Sequence, residues 1–342
     1  MSGKKTIKYW GLVVIVNLGS AVVAALAFGA WQRFRMPQSA ANVPYRGDAF
    51  YELVEDVGHI PRPNAQMVAH AEVGQRRIYE VIYTTGSDHF RVVPEATKNP
   101  DACVLAFGGS FTFGDGVRDD ETFAAQIVKR SEGHVAAQNF GVSGWGPHQF
   151  LAGLQSGRFQ LAARCKPTDA VFLLVPPVIW WTCGVLNPWD KNGPRYRLGP
   201  YGRPVRDGRL GDPAPYNWRR WIGLDPVSKS EALGLTKAVL VEATNELERL
   251  YPGVRMHLIS YRVAVPSWID TGFSNEELAV FENDLQQAGV MPLPLEGIMP
   301  RYRFAATDYI LDPTDFHPNA RAHRLIADFI LREIDQAGKP TP

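Results

Sequence analysis

One serine and one histidine stand in this chain where a nucleophile and its base would be needed. Ser110 closes the turn of Phe107-Gly108-Gly109-Ser110-Phe111-Thr112-Phe113-Gly114, directly after the apolar stretch Cys103-Val104-Leu105-Ala106-Phe107. An unbroken apolar run of that length reads as a strand buried in a parallel sheet. The carboxyl edge of such a sheet is where α/β proteins bind ligands, and small residues there let the backbone turn sharply and present a hydroxyl. Alone, a Gly-Gly-Ser turn is ordinary strand-to-helix punctuation. The far end of the chain adds what it lacks, because Asp312-Pro313-Thr314-Asp315-Phe316-His317-Pro318-Asn319 precedes a helical pattern from Ala320 to Ile334. A serine becomes a nucleophile when a base takes its proton, and a histidine serves as that base when a carboxylate fixes its tautomer.

Together with Asn139-Phe140-Gly141-Val142-Ser143-Gly144, these runs resemble the SGNH/GDSL hydrolase superfamily over residues 100 to 335, in particular its membrane-anchored bacterial members. The resemblance implies that Ser110 is the nucleophile, that the backbone amides of Ser110 and Gly144 form the oxyanion hole, and that a closely spaced Asp and His complete a triad. Two blocks depart from the family pattern. Gly109 stands where the first block usually has aspartate. In the third block, Ala170-Val171-Phe172-Leu173-Leu174-Val175 runs into Pro176-Pro177-Val178-Ile179-Trp180-Trp181 without the usual oxyanion-donating asparagine, and Asn187 and Asn192 are close only in sequence. Loss of one such donor costs on the order of 2.7–4 kcal/mol in the transition state, so the resemblance implies a substitute group or slow turnover.

The identity of the acid needs a choice between two aspartates. The usual Asp-x-x-His spacing would put a carboxylate at position 314, which is a threonine. Asp315 lies two residues before His317, and in an extended segment both side chains point the same way. Asp312 is the alternative, five residues back across Pro313. His323, on the following helix, reads as a structural or surface residue.

The elements that must position these groups alternate strand and helix. Asp119-Asp120-Glu121-Thr122 opens a helix to about Arg130, a strand follows from Val135 to Phe140, and a helix runs from Pro147 to Ala163. Another helix spans about Ser230 to Leu250, then a strand from Val254 to Ser260, then the capping box Ser274-Asn275-Glu276-Glu277 opens a helix to about Gln287. The fold expected is α/β, a three-layer α/β/α sandwich on a mainly parallel, flavodoxin-like sheet. Upstream, Arg77 to Thr84 alternates as a strand, Thr85-Gly86-Ser87-Asp88 reads as a turn, and His89 to Val93 as its partner strand, forming a small β-hairpin.

From Tyr9 to Trp31 the chain is almost wholly apolar and is preceded by Lys4, Lys5 and Lys8. Such a run spans about 30 Å as a helix, enough for a bilayer. It reads as a single-pass transmembrane anchor, with a cleavable signal peptide ending near Ala25-Leu26-Ala27 as the rival. The catalytic part would then face the periplasm or the extracellular side. The chain accordingly divides into a basic N-terminus (1–8), the apolar segment (9–31), a linker (32–45), a hairpin extension (46–98) and a hydrolase-like domain (99–336) with an inserted Pro-, Gly- and aromatic-rich region at 180–224. Within that insert Trp180, Trp181, Trp189, Arg195, Tyr196, Arg197, Trp218 and Trp221 read equally as a wall for a sugar or acyl group and as the packing of a long loop.

A net charge of +1, from 36 basic and 35 acidic residues, gives no nucleic-acid footprint. The histidines and cysteines show no metal-ligand spacing, so neither a metal nor another cofactor is expected. Three cysteines make no disulfide framework; Cys103 reads as a small hydrophobe in its strand, and Cys165 and Cys183 as too far apart to bond. Two function classes remain. One is a serine esterase, or an O-acyltransferase, working on ester-linked acyl groups, acetyl foremost, of cell-envelope glycans or lipids. The other is a binding module that has kept the fold with little catalysis.

Overall fold

The computed structural model describes residues 49–212, 227–262 and 271–337. The apolar segment 9–31, the linker 32–45, and Trp218 and Trp221 lie outside the described residues. Among the described residues no helix is long and apolar enough to cross a membrane.

In chain order the elements used below are strands β1 (Tyr51–Val54), β2 (Gly58–Pro61), β3 (Gln66–Val73), β4 (Arg76–Thr84) and β5 (Ala102–Gly108), helices α1 (Ser110–Phe113) and α2 (Phe123–Arg130), strand β6 (Val135–Gly141), helix α3 (Pro147–Gln155) and strand β7 (Asp169–Leu174). They continue with the pair β8 (Pro194–Leu198) and β9 (Pro204–Arg209), helix α4 (Lys229–Leu250), strand β10 (Arg255–Ser260), helix α5 (Asn275–Gln287) and strand β11 (Met291–Leu293). The pair β12 (Ile310–Asp312) and β13 (Asp315–Pro318) and helix α6 (Ala320–Ala337) complete the series.

Five strands form the central sheet in the order β11-β10-β7-β5-β6, every neighbouring pair parallel. Counted along the chain this is the 2-1-3-4-5 order of flavodoxin-like sheets. The alternation of side chains along β5 explains the layers. Cys103, Leu105 and Phe107 point into a core shared with Phe150 and Leu154 of α3, Leu235 and Val239 of α4, and Phe281 of α5. Ala102, Val104 and Ala106 point the other way, towards Phe123 and Ile127 of α2 and Ile326 and Ile330 of α6. Helices therefore cover both faces, as the burial of β5, β6 and β7 along their whole length requires.

Phe107, the last large residue before the Ser110 turn, lies 4.4 Å from Phe150, 5.4 Å from Phe140 and 4.9 Å from Phe159, centroid to centroid. Aromatic pairs of this kind contribute about 0.5–1.5 kcal/mol each beyond their buried area, so the strand end that carries the serine is firmly held. The helices start where the sequence places their caps. Thr122 Oγ1 accepts the Ala125 amide at 3.3 Å to open α2, and Ser274 and Glu277 form the reciprocal capping box of α5.

The structure differs from the sequence expectations in four places. First, β4 pairs backwards with β3, antiparallel from Gln66↔Thr84 to Val73↔Arg76, and not forwards with 89–93. A two-residue turn starting at Gly74, φ +62°, closes this hairpin, and glycine accepts such a φ without strain. The 89–93 stretch contributes only single bridges, Thr85↔Arg91 and Arg91↔Asn139. Second, the helix expected from Pro147 to Ala163 breaks at Gly157, φ +80°, and resumes as Arg158–Ala162. Third, a short helix, Pro177–Trp181, leads into the insert, which reads from its sequence as a loop or β-excursion and carries the antiparallel pair β8–β9.

The fourth difference concerns the cysteines. Cys103 and Cys165 are disulfide-bonded, with Cα atoms 6.1 Å apart and a sequence separation of 62. The residue that brings them together is Thr168, whose amide donates to the Cys103 carbonyl at 2.9 Å and whose hydroxyl accepts the Cys103 amide at 3.2 Å. The segment entering β7 is thus laid alongside the start of β5. Closing a loop of this length in the unfolded chain is worth roughly 4 kcal/mol. Cys165→Ser should lower the free energy of urea unfolding by up to that amount, and reductant should bring the wild-type curve onto the variant's. Identical wild-type midpoints with and without reductant would show that the pair contributes nothing.

Candidate active site

The turn from β5 into α1 is built by glycines because other atoms occupy the space of side chains. A Cβ on Gly108, φ +146°, would sit 2.4 Å from Thr112 Oγ1, and one on Gly109 would sit 2.7 Å from the Trp145 carbonyl oxygen. The aspartate that the family pattern puts at 109 has no room here. Gly141, at the end of β6, lies under α1, where a Cβ would meet the Phe113 amide at 2.4 Å. Beside it Asn139 Nδ2 donates to the Thr112 carbonyl at 3.0 Å and Asn139 Oδ1 accepts the Gly141 amide at 3.0 Å. The second block therefore clamps the turn that presents Ser110.

His317 reaches that turn from β13. Ser110 Oγ and His317 Nε2 are 2.8 Å apart, and His317 Nδ1 is 2.6 Å from Asp315 Oδ1. Asp315 Oδ1 also accepts the His317 backbone amide at 3.2 Å. With Nδ1 donating to the carboxylate, Nε2 is left to accept the serine hydroxyl. The Phe111 ring packs on the imidazole with centroids 4.8 Å apart. Burial works against charge on Asp315, but the neighbouring His317 and its two hydrogen bonds more than offset it and hold the carboxyl below its ordinary value. Burial likewise disfavours the imidazolium of His317, yet Asp315 and, after it, Asp115 raise its pKa above the usual histidine value.

Asp312 is engaged elsewhere. Its Oδ1 accepts the amide and hydroxyl of Thr314 at 3.0 and 2.6 Å, and its Oδ2 pairs with Arg76 at 2.6 Å. The Arg76 guanidinium and the Thr314 bonds hold its pKa down to about 2. It closes the β12–β13 turn that carries Asp315 and His317. His323 is fully buried on α6, where Nδ1 accepts the Phe123 amide at 3.1 Å and burial pushes its pKa down to about 3. It is a neutral brace for the start of α2.

Gly144 sits in the turn Val142–Trp145 with φ +86°, and Trp189 Nε1 would be 2.9 Å from a Cβ there. Two side chains bracket this turn. His59 Nε2 donates to the Ser143 carbonyl at 3.0 Å, and Trp189 Nε1 donates to the Gly144 carbonyl at 3.4 Å. Trp181 meets Trp189 edge-on at 5.1 Å, whereas Trp180 is spent on Phe273 and the Thr271 carbonyl, and Arg195 on Asp207. Tyr196 is buried with its hydroxyl on Gln155. Among the described aromatic candidates of the insert, Trp189 reaches the Gly144 turn and Trp181 packs on Trp189. Asn187 does not replace the third-block asparagine, since its Nδ2 donates to the Trp181 carbonyl at 3.2 Å.

Two groups that matter here escaped the sequence reading. The guanidinium of Arg91 is buried against the turn, donating to the carbonyls of Phe113, Gly114 and Val117 at 2.8, 2.6 and 2.6 Å and to Asp119 at 2.8 Å, and stacking on Tyr83. Asp115 follows α1 and lies 3.9 Å from His317 Nε2. Among the described residues no group of His, Cys, Asp and Glu could hold a metal ion.

No protein-family profile and no curated protein matches this chain. Solved structures similar to it include an alpha/beta hydrolase enzyme from the metagenome of Lake Arreo, Spain, at 16% identity over 70% of this chain and 98% of that one, TM-score 0.42. Another is a lipolytic protein assigned to the G-D-S-L family from Desulfitobacterium hafniense, at 10% identity over 68% and 99%, TM-score 0.42. A third is a catalytic mutant of Axe2, an acetylxylan esterase from Geobacillus stearothermophilus, at 12% identity over 69% and 95%, TM-score 0.41. Likenesses at this level assign no role to any residue here.

Two outcomes follow from the geometry. Asp315→Asn should lower any Ser110-dependent turnover at least about a hundredfold, since losing the correct tautomer in a comparable triad costs roughly ten-thousandfold, while Asp312→Asn costs far less; the reverse order in steady-state assays would reassign the acid. Arg91→Leu strands three carbonyls and Asp119, and should cost about 3–5 kcal/mol in urea unfolding. A loss below 1 kcal/mol would show that the turn does not depend on it.

Proposed function

We propose that this chain is a serine esterase of the SGNH/GDSL type, acting on ester-linked acyl groups. The observation that carries this reading is the unbroken line Ser110 Oγ, His317 Nε2, His317 Nδ1, Asp315 Oδ1, with contacts of 2.8 and 2.6 Å at the carboxyl end of β5. In the first half-reaction Ser110 Oγ attacks the acyl carbonyl carbon while its proton passes to His317 Nε2. The negative charge that forms on the carbonyl oxygen is met by the amides of Ser110 and Gly144. Collapse breaks the ester bond, the leaving alcohol takes the proton from His317, and the acyl group stays on Ser110. Water, losing a proton to His317, then attacks the acyl carbon, the bond to Ser110 Oγ breaks, and Ser110 takes the proton back from His317 as the acid leaves.

Acetyl groups on cell-envelope glycans or lipids are the proposed substrates. Three features support this location and class. The sequence carries the apolar segment 9–31, read as a membrane anchor. The Cys103–Cys165 pair suits an oxidising compartment. The Trp181–Trp189 corner beside Gly144 offers apolar faces next to the site. The same acyl-enzyme would serve a sugar hydroxyl as acceptor, so an O-acyltransferase differs only in what enters second.

Incubating the folded protein with a fluorophosphonate should give an adduct on Ser110, and Ser110→Ala should remove both the adduct and the hydrolysis of 4-nitrophenyl acetate without changing the fold. A properly folded Ser110→Ala that still turns over the ester would remove Ser110 from the mechanism.

A further inference from the structure

The carboxylate of Asp115 is 1% exposed and belongs to none of the sequence blocks that define the site. Its main chain is tied to the nucleophile, because the Asp115 amide donates to the Ser110 carbonyl at 3.0 Å, alongside the Gly114 amide at 2.8 Å. Its side chain is tied to the oxyanion turn, because Asp115 Oδ1 accepts the hydroxyl of Ser143, the residue before Gly144, at 2.7 Å. Its other oxygen, Oδ2, faces His317 Nε2 at 3.9 Å. One buried group thus touches the three parts of the site that must stay in register.

We propose that Asp115 is a positioning residue, holding the Ser143–Gly144 turn in place against the Ser110 turn and stabilising, by its negative charge, the proton that His317 takes from Ser110. This rests on the serine-esterase reading given above. The imidazolium formed during attack would then lie between two carboxylates, Asp315 on Nδ1 and Asp115 facing Nε2. An opposite charge within about 4–6 Å favours the protonated ring, in agreement with the raised pKa of His317. Other titratable groups pack around this charge. From β4, Tyr79 and Tyr83 face Asp115, both pushed up by burial and by that carboxylate. Tyr83 also uses its hydroxyl to accept the Gly116 amide at 2.7 Å. Arg91 is committed to carbonyls and Asp119, Asp312 to Arg76, and His323 is neutral.

The two roles separate by mutation. Asp115→Asn keeps an oxygen for Ser143 and removes the charge. The acid limb of its kcat/KM profile for 4-nitrophenyl acetate should move down by about one pH unit, and the His317 imidazole titration followed by NMR should move with it. Ser143→Ala keeps the charge, so the limb should stay in place while kcat falls about tenfold with little change in KM, the pattern of a contact that matters only in the transition state. A folded Asp115→Asn whose limb and NMR titration match wild type would overturn the electrostatic role, and an unchanged kcat in Ser143→Ala would overturn the brace. Should Asp115→Asn fail to fold, Asp115→Ser, which keeps an oxygen for Ser143 and lacks the charge, takes its place: a His317 titration moved down from wild type sustains the second anion, and one that matches wild type refutes it. The titrations need no substrate, so a wild-type protein inert towards esters would sink the proposed reaction and leave this interaction measurable.

Discussion

The hydrogen bond between Ser110 and His317 joins residues 207 apart, and neither residue has freedom to search for the other. Ser110 is placed by β5, itself fixed between β6 and β7 and pinned by the aromatic cluster around Phe107. His317 is placed by a two-strand turn whose geometry is set by Asp312, Thr314 and Arg76, and by α6, which leaves that turn to pack on the far side of the same sheet. A contact of this kind tolerates errors of well under an ångström before the proton path is lost. Most of the fold, including both helical layers, can be understood as the framework that keeps two distant turns within that tolerance.

The crowding at the nucleophile turn is the local expression of the same constraint. Gly108, Gly109 and Gly141 are each in contact with atoms a Cβ would displace, so the turn cannot relax towards a more ordinary conformation. Arg91 and Asn139 then satisfy the carbonyls at the end of α1 that a helix of four residues leaves without partners. The absence of the family's aspartate at 109 and its asparagine in the third block therefore has a packing counterpart at only one position. At 109 the Trp145 carbonyl fills the space. After β7 the chain turns directly into Pro177–Trp181, and Trp189, packed on Trp181, stands against the Gly144 turn instead.

Much of this was legible in the sequence because it is local. Apolar stretches gave β5 and β7, strand–helix alternation gave β6, α4 and β10, the acidic run before Phe123 and the capping box at Ser274 gave the starts of α2 and α5, and an i, i+2 spacing singled out Asp315 over Asp312. What was not legible depends on which segments meet. β4 could pair with either neighbour, and the choice fell to the turn at Gly74, a weaker written signal than Thr85-Gly86-Ser87-Asp88. The bond between Cys103 and Cys165 depends on Thr168 docking on β5, which no count of cysteines reveals. Arg91 was one residue of a stretch read as a strand, and Asp115, between Gly114 and Gly116, carried no local signal. Both are buried by contacts made far along the chain.

Arg91 also changes where this enzyme-like body begins. A boundary drawn by motif would fall just before β5 and would keep Ser110, Asp315 and His317 intact on paper. The guanidinium that holds the nucleophile turn, and Tyr83 against which it stacks, would both be left on the wrong side. What gene fusion or domain shuffling could transplant as a working unit is therefore longer than its motifs. The hairpin of β3 and β4 has to travel with it, as part of the same inheritable module and not as a spacer between the body and whatever precedes it.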